Sequence, residues 1–595
     1  MGIWKSIGGG DEQWVGHDPS DQFPVYTRGN AGEVYPEVFS PLSFSVAAEA
    51  GERALRNALL TSGLIRPKEL TGVPLTTAAG IGVFGGYSYL NLSIQRLASA
   101  RVPGGKATDA DMNYLGGGDP PPHVPLPTER NLRATLAGLR YLWRTLKVKD
   151  LPYLVDDQRM VDDFLRQLPD PTTATEEQLQ QSVDGLMPMF AELFERHLKV
   201  SFAAGFAVAT LSAICEKQLD DPLLAVQLLA GLGDVDSAAP SQAMWDLGRQ
   251  IQRSPGLTAA FDAGIEGLWP RLQAMATPDT ADDALTAAAA TFVGSFNSFL
   301  AQFGSRGPNE WDTAFDTWET DPALALALID RMRTADKSHN PATQQQRLAA
   351  EAAELETETR RRLPRLVRGL FTKALASSRL HSRSRERSKT TVVRAIHGAR
   401  LQTMELADRL AERSGGERSD LWLLTRPELD DYVADPASMA EVIAKRRRQQ
   451  QLLAEREPPF FFSGEQPPLE EWGRRGRTME SLHVGDVIVG LPGCPGVARG
   501  TARVITDPGD PGNLQPGDVL VAPLTDPAWT PLFVPAQAVV VDVGAIMSHA
   551  VIVSRELGIP CVVSATNATR QIPDGAVIEV DGAKGTVTVV SLPVG

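Results

Sequence analysis

At 595 residues the chain is too long for one hydrophobic core and points to three or four domains. Its 43% hydrophobic and 22% charged residues match an ordinary globular protein and exclude a long low-complexity chain. The formal net charge of -15, from 58 basic and 73 acidic residues, argues against nucleic acid as a partner, because a phosphate backbone calls for a positive field.

Cys215, Cys494 and Cys561 lie far apart without metal-ligand spacing, which predicts a reducing compartment, no disulfide framework and no metal site. The opening MGIWKSIGGGDEQW lacks the apolar core of a signal peptide, and LKVSFAAGFAVATLSAI is too short for a membrane span. The expectation is a cytoplasmic protein with no membrane partner.

Residues 1–125 are rich in Gly, Pro and aromatics and read as an irregular, mixed segment that closes on the turn-like GGGDPPPHVPLP. Residues 126–450 take up helical periodicity, as in Leu186, Phe190, Leu193, His197 and Phe202, with breaks at Pro222, Pro255 and Pro322. The charged run AKRRRQQQLLAERE leads into Pro458, Pro459, Gly464, Pro467 and Pro468, so residues 451–480 read as a linker. Residues 481–595 are short β-branched runs bounded by Gly, Pro and Asp (GDVIVG, GDVLVAP, AVVVDVG, PCVVSA, GTVTVV), interrupted by one helical stretch from Ser548 to Leu557.

That helix carries the chemistry. A strand, AVVVDVG, runs through Gly544 and a turn to Ser548, a suitable N-cap, and Gly558 with Pro560 stops the helix. His549 then falls in the first helical turn, where free N–H groups and the helix dipole favour an anion. A neutral imidazole, with an ordinary pKa of about 6.5, is a nucleophile at neutral pH, and a phosphoryl group on it would be stabilised there. Taken alone, a histidine at a helix start is more often a structural hydrogen-bonding group.

The context extends further. LPGCPGVARGTARV, GDVLVAPLTDPAWTPLF, VGAIMSHAVIVSRELGIPCVV and DGAVIEVDGAKGTVTV, four ordered blocks from Leu491 to Val590, resemble the swivelling phosphohistidine domain of the PEP-utilising enzymes. That family includes pyruvate phosphate dikinase, phosphoenolpyruvate synthase and rifampicin phosphotransferase. The resemblance implies a covalent phosphate on His549. Ser548 adjoins it as the N-cap, and Arg555, about two turns on, would help to neutralise the phosphate only if the fold brings it round. Ala545 replaces a usual glycine and Met547 a usual threonine, which looks closer to the rifampicin phosphotransferase and phenylphosphate synthase branch.

Upstream, TRGNAGEVYPEVFSPLSFS and FGGYSYLNLS resemble the opening of that family's acceptor-binding domain. FLAQFGSRGPNEWD resembles its Tyr-Gly-His-Arg-Gly-Pro-x-Glu-x-Asp element. Arg306, Glu310 and Asp312 match, and Ser305 replaces the histidine. Arg385-Glu386-Arg387-Ser388-Lys389 resembles an Arg-Glu-x-x-Lys element, and the four-residue spacing puts Arg385 and Lys389 on one helical face. Phosphoryl transfer needs cations on the equatorial oxygens and a proton acceptor for the attacking hydroxyl. Arg306, Arg385 and Lys389 suit the first task, Glu310 or Asp312 the second. The bland alternatives are a structural Arg306–Glu310 ion pair and a solvated basic helix, since Arg360, Arg361, Arg362, Arg365 and Arg368 lie nearby.

Gly8-Gly9-Gly10 and GIGVFGG lack the lysine of a phosphate loop and read as turns. The expectation is therefore a multidomain α+β chain with a mixed N-terminal segment, a large, mostly helical acceptor domain and a C-terminal β/β/α swivelling phosphohistidine domain. ATP and Mg would be bound by a separate ATP-grasp subunit, as the resemblance to the split phenylphosphate synthase and 4-methylphenyl phosphate synthase type implies. The acceptor would be a small hydroxylated aromatic compound. A rifamycin-type acceptor and a non-catalytic phosphocarrier remain the alternatives.

Overall fold

The computed structural model describes residues 3–593 apart from 103, 115–120, 234–235, 237–238, 278–282, 477–478, 511 and 546–547. Part of the GGGDPPP turn, with Ile546 and Met547, lies outside the described residues. The chain forms two compact units: Met1–Ala209 with Trp311–Ala314 and Ala376–Arg477, and Thr210–Glu310 with Phe315–Leu375 and Thr478–Gly595. This partition corrects the expectation of one helical domain over 126–450. The helices that matter below are α1 (Pro41–Ser62), α2 (Glu176–Leu219), α3 (Leu224–Leu228), α4 (Ala239–Gln252), α5 (Asp283–Phe303), α6 (Pro322–Arg333), α7 (Pro341–Arg362), α8 (Arg365–Ser414), α9 (Thr530–Phe533) and α10 (His549–Leu557). The divisions between units at 209 and 375 fall inside α2 and α8.

In the first unit a four-stranded antiparallel sheet runs in the order β2-β3-β1-β4, with β1 Val25–Thr27, β2 Ile81–Phe84, β3 Tyr87–Asn91 and β4 Phe461–Ser463. Gly85 and Gly86, at φ 52 and 82, make the two-residue turn between β2 and β3, a conformation that L side chains resist. β4 corrects the linker assignment: Phe461, Phe462 and Ser463 pair with Thr27, Tyr26 and Val25. Phe462, Leu469 and Trp472 are buried, and Phe462 stacks on Tyr26 at 5.1 Å. The prolines around β4 confine it to the sheet edge rather than free it, because proline removes a ladder donor only where none is needed. The run read as charged linker is helical as far as Ala454. The N-terminal segment is more regular than expected, since α1 is a helix of 22 residues capped by Ser40. Phe39, Phe44, Phe84, Tyr87 and Tyr89 all enter this unit's core.

In the second unit an eight-stranded sheet has the order β6-β10-β9-β8-β7-β11-β12-β5. The strands are β5 Val487–Val489, β6 Leu491–Cys494, β7 Val497–Val504, β8 Val519–Ala522, β9 Ala538–Val541, β10 Cys561–Val563, β11 Val577–Asp581 and β12 Thr586–Ser591. β7, β8, β9 and β10 are mutually parallel, and the outer pairs are antiparallel. Alternation along β8 and β9 explains their uninterrupted apolar sequences. Leu520, Ala522, Val539 and Val541 face a core shared with α4, α5 and α6, whereas Val519, Val521, Ala538 and Val540 face the core on the other side.

α2 and α5 are long and apolar enough to cross a membrane by length and composition, which the sequence reading had not allowed. Phe190 and Leu193 of α2, and Phe292, Phe296 and Phe299 of α5, are buried in the respective cores.

Candidate active site

Parallel neighbours β8 and β9 send both following loops over the same edge of the sheet, the carboxyl edge where open α/β sheets bind ligands. The loop after β9 enters α10 at His549, and the loop after β8 carries Thr525 and Asp526 into a short turn and α9. The His549 imidazole is buried between them. Its Nε2 lies 3.0 Å from Thr530 Oγ1, its Nδ1 3.2 Å from Thr525 Oγ1, and Phe533 meets the ring edge-on at 5.9 Å. Each ring nitrogen thus faces a hydroxyl, a group that can either donate or accept. At the end of β9, Asp542 accepts a hydrogen bond from Thr569 N at 2.9 Å, and burial pushes its carboxyl up to about 6.

Ser548 is the N-cap residue, with extended backbone angles, but its hydroxyl makes no cap bond and is buried without a hydrogen-bond partner among the described residues. The cap predicted from sequence is therefore positional only, and a buried oxygen stands unused one residue from His549. Arg555 does not come round to His549. Six residues of helix separate them by about 9 Å of rise, and its guanidinium instead pairs with Glu556 at 3.1 Å.

The Arg306 loop leaves α5 within the same unit. Its two buried charges pair, Arg306 Nη1 to Glu310 Oε1 at 2.9 Å. Asn309 adopts the left-handed conformation at φ 54, and its backbone N–H points to Asp526 Oδ2 at 3.4 Å. Asp526 caps the turn before α9 through Ala528 N at 2.8 Å. The loop beside His549 and the loop of Arg306 and Glu310 are thus joined through Asp526 and Asn309. Asn309 Oδ1 is a second buried oxygen without a partner among the described residues.

Asp312, Arg385 and Lys389 belong to the other unit. The Asp312 carboxylate accepts from Ser40 N (3.0 Å), Ser40 Oγ (2.9 Å), Ser43 Oγ (2.7 Å) and Ala314 N (3.0 Å), so it braces the start of α1. Arg385 and Lys389 lie on α8 beside His197, whose Nδ1 is 2.9 Å from Ser388 Oγ. Burial, then the charges of Arg385 and Lys389, hold His197 down to about 3, so it is a neutral ring at neutral pH. Trp311 lines a small cavity of about 30 Å3 with Phe190, Leu186, Ile396 and Ser43.

The residues that sequence reasoning missed are Thr525, Thr530, Asp526, Asn309 and His197. TDPAWTPLF already stood out as a block, and an aspartate before Pro527 is a cap signal. The two threonines carry no signal of their own.

Residues 196–387 match the model of the rifampicin phosphotransferase fourth domain, and residues 514–585 match the mobile domain of PEP-utilising enzymes. An uncharacterised protein of Mycobacterium tuberculosis is 29% identical over 581 residues, covering 96% of this chain and 62% of its own length. Rifampicin phosphotransferase of Bacillus subtilis is 30% identical over 300 residues, covering 49% of this chain and 34% of that protein. The prodigiosin synthesizing transferase PigC of Serratia marcescens is 26% identical over 428 residues, covering 71% and 46% respectively. The chain thus spans 62% of the length of that mycobacterial relative. Arg306, Glu310 and Arg385 fall within the first matched segment, and His549 with both threonines within the second.

Proposed function

We propose, for a chain of the PEP-utilising, rifampicin phosphotransferase-like family, that His549 is the phosphoryl carrier of a phosphotransferase. The single observation behind this reading is the buried imidazole in the first turn of α10, at the carboxyl edge of the parallel strands, with a hydroxyl at each ring nitrogen. The donor is ATP with Mg, held by an ATP-grasp subunit. One ring nitrogen forms a P–N bond to the β-phosphorus of ATP as the α–β bridge breaks and AMP leaves. Water cleaves the β–γ bridge, so that the γ-phosphoryl group leaves as phosphate. In the second half-reaction the P–N bond breaks as the oxygen of a small phenolic acceptor forms the P–O bond. Arg306 stabilises the equatorial oxygens, and Glu310 takes the hydroxyl proton. A phenol, with an ordinary pKa of about 10, gives up that proton more readily than an alkanol. Ser548 Oγ, buried and without a hydrogen-bond partner among the described residues, is a ready donor to a phosphoryl oxygen. Arg385 and Lys389, on the first unit, are cations of the kind that the acceptor stage calls for.

The test is uptake of label from ATP labelled separately at the β and γ positions, by the chain alone and with a candidate ATP-grasp subunit. Acid-labile label from the β position that depends on the subunit and is absent in His549→Ala is the expected result. No uptake with any such subunit would sink the scheme. The match of residues 196–387 to a rifampicin phosphotransferase domain favours a second reading, a rifamycin-type acceptor. Discharge of the labelled chain by rifamycin rather than by phenols would select it. A non-catalytic carrier would still hand on its phosphate after Arg306→Met, whereas the proposed enzyme stalls at phosphohistidine.

A further inference from the structure

The second unit holds a cleft of about 380 Å3 that the His549 chemistry leaves unused. One wall is helical, with Val226 of α3 and Arg347, Leu348 and Leu355 of α7. The other is formed by Pro495 beyond β6 and Arg555 near the end of α10. A volume of this size falls within the range of about 300–1,000 Å3 typical of small-molecule sites. Its lining has the composition of such a site, an apolar floor with a few converging polar groups.

Two guanidinium groups border it, together with the Glu351 carboxylate that pairs with one of them. Arg555 is buried, and its Nε and Nη2 both donate to Glu556 Oε1, at 3.2 and 3.1 Å. Glu556 Oε2 accepts from Leu232 N at 2.9 Å, so that carboxylate is engaged at both oxygens. Arg555 Nη1 makes no hydrogen bond among the described residues. Arg347, half-exposed at the rim, is steadied by Glu351 at 2.7 Å and by Gln344 Oε1 at 2.8 Å. A buried arginine already in place retains donors for one more acceptor at little cost in ordering, and a fork of N–H groups suits carboxylate and phosphate alike. Gly558 lets α7 come close. It sits at φ 67, and a Cβ there would lie 2.9 Å from Leu348 Cδ2.

We propose that this cleft binds a small amphipathic anion, a molecule with one apolar ring or short chain and a single carboxylate or phosphate head. The apolar body lies against Val226, Leu348, Leu355 and Pro495, and the head meets Arg555 and Arg347. The site stands apart from the phosphoryl chemistry, so its existence does not depend on His549 carrying phosphate. Its two walls come from the helical segment and from the sheet domain, so an occupant clamps the two together.

Calorimetric titration of the full chain with phenyl phosphate, with 4-methylbenzoate and with neutral 4-methylbenzamide tests the site. The expected result is binding of at least one anion, at least tenfold tighter than the amide. That affinity should fall at least tenfold in Arg555→Gln and be lost in Leu348→Trp, which fills the cleft. Binding of phenyl phosphate alone assigns the head to phosphate, and of 4-methylbenzoate alone to carboxylate. Arg555→Gln removes one partner of Glu556 and risks the fold, so Arg347→Ala, on the rim, is its companion with a severalfold expected loss. Failure of both anions to bind, equal binding of the amide, or unchanged anion affinity in Leu348→Trp overturns the proposal.

Discussion

Thr530→Val removes one hydroxyl from the wall of the His549 pocket while changing the side chain's shape little. Thr530 is 1% exposed, and its Oγ1 is 3.0 Å from His549 Nε2. Valine leaves that ring nitrogen facing a methyl group in a place water does not reach. Removing one partner of a buried hydrogen bond costs about 1–3 kcal/mol, and that is the expected loss of stability in urea unfolding. If the same hydroxyl aims the ring, the loss reappears in the rate of label uptake, where about 1.4 kcal/mol is a factor of ten. Uptake slowed roughly 10- to 100-fold is therefore expected, because part of the orienting energy is retained by Thr525 and Phe533. The decisive control is a thermodynamic cycle with His549→Ala. There the hydroxyl has lost its partner, so Thr530→Val should cost less by about 0.5–1.5 kcal/mol, the net worth of one hydrogen bond. An equal cost in both backgrounds, together with an unchanged rate of uptake, would refute the claim that Thr530 orients His549.

His197, held down to about 3 in the fold against about 6.5 unfolded, binds its proton later than the unfolded chain does. Its contribution to stability is full above pH 6.5 and is lost as pH falls from there toward 3. His197→Gln should therefore flatten the acid-unfolding curve in that window, by an amount on the order of a few kcal/mol, and an unchanged slope would contradict it. Arg306→Met and Glu310→Gln should each destabilise by about 3–5 kcal/mol, since either breaks a buried ion pair by removing one partner. The double variant should cost clearly less than the sum in denaturant titration, and additivity would mean that the pair does not act as one. Gly558→Ala should cost about 1–2 kcal/mol from the left-handed backbone alone. The contact with Leu348 adds to this, and a thermal melt unchanged from wild type would exclude both terms.

The parts of the fold readable from sequence are those whose signal is local. AVVVDVG and GDVLVAP read as strands because both their faces are buried, and Gly558 with Pro560 marks the end of α10 because helix stops are written in adjacent residues. β4 escaped because its partner, Val25–Thr27, is more than 430 residues away, and prolines on either side suggest a linker to any local reading. The surroundings of His549 escaped for a related reason. Threonine at 525 and 530 is ordinary for a turn and a helix start, and only the pairing of β8 with β9 sets both hydroxyls against the imidazole. His197 looked like one more position on the apolar face of α2, and its neighbours on α8 lie almost 200 residues on, as with Ser388.

The two acids of GSRGPNEWD illustrate what spacing alone cannot decide. Glu310 and Asp312 are two residues apart and equally suited on paper to take a proton from an acceptor hydroxyl. The chain turns between them, with Asn309 in the left-handed region, and delivers them to different units. Asp312 is surrounded by two N–H and two O–H donors, all within 3.0 Å. A carboxylate engaged in this way would have to break the cap of α1 before accepting a substrate proton. Glu310 instead faces a cation, Arg306, in the loop joined through Asn309 to Asp526 and so to the surroundings of His549. A buried ion pair is a weak stabiliser, because desolvation consumes most of what attraction supplies. On the proposed reading, an arriving phosphoryl group would give Arg306 a second anion to neutralise and loosen its hold on Glu310, freeing that carboxylate to meet the acceptor hydroxyl. On this argument Asp312→Asn should appear mainly as lost stability of the first unit, and Glu310→Gln as phosphohistidine that forms at the normal rate and is not discharged.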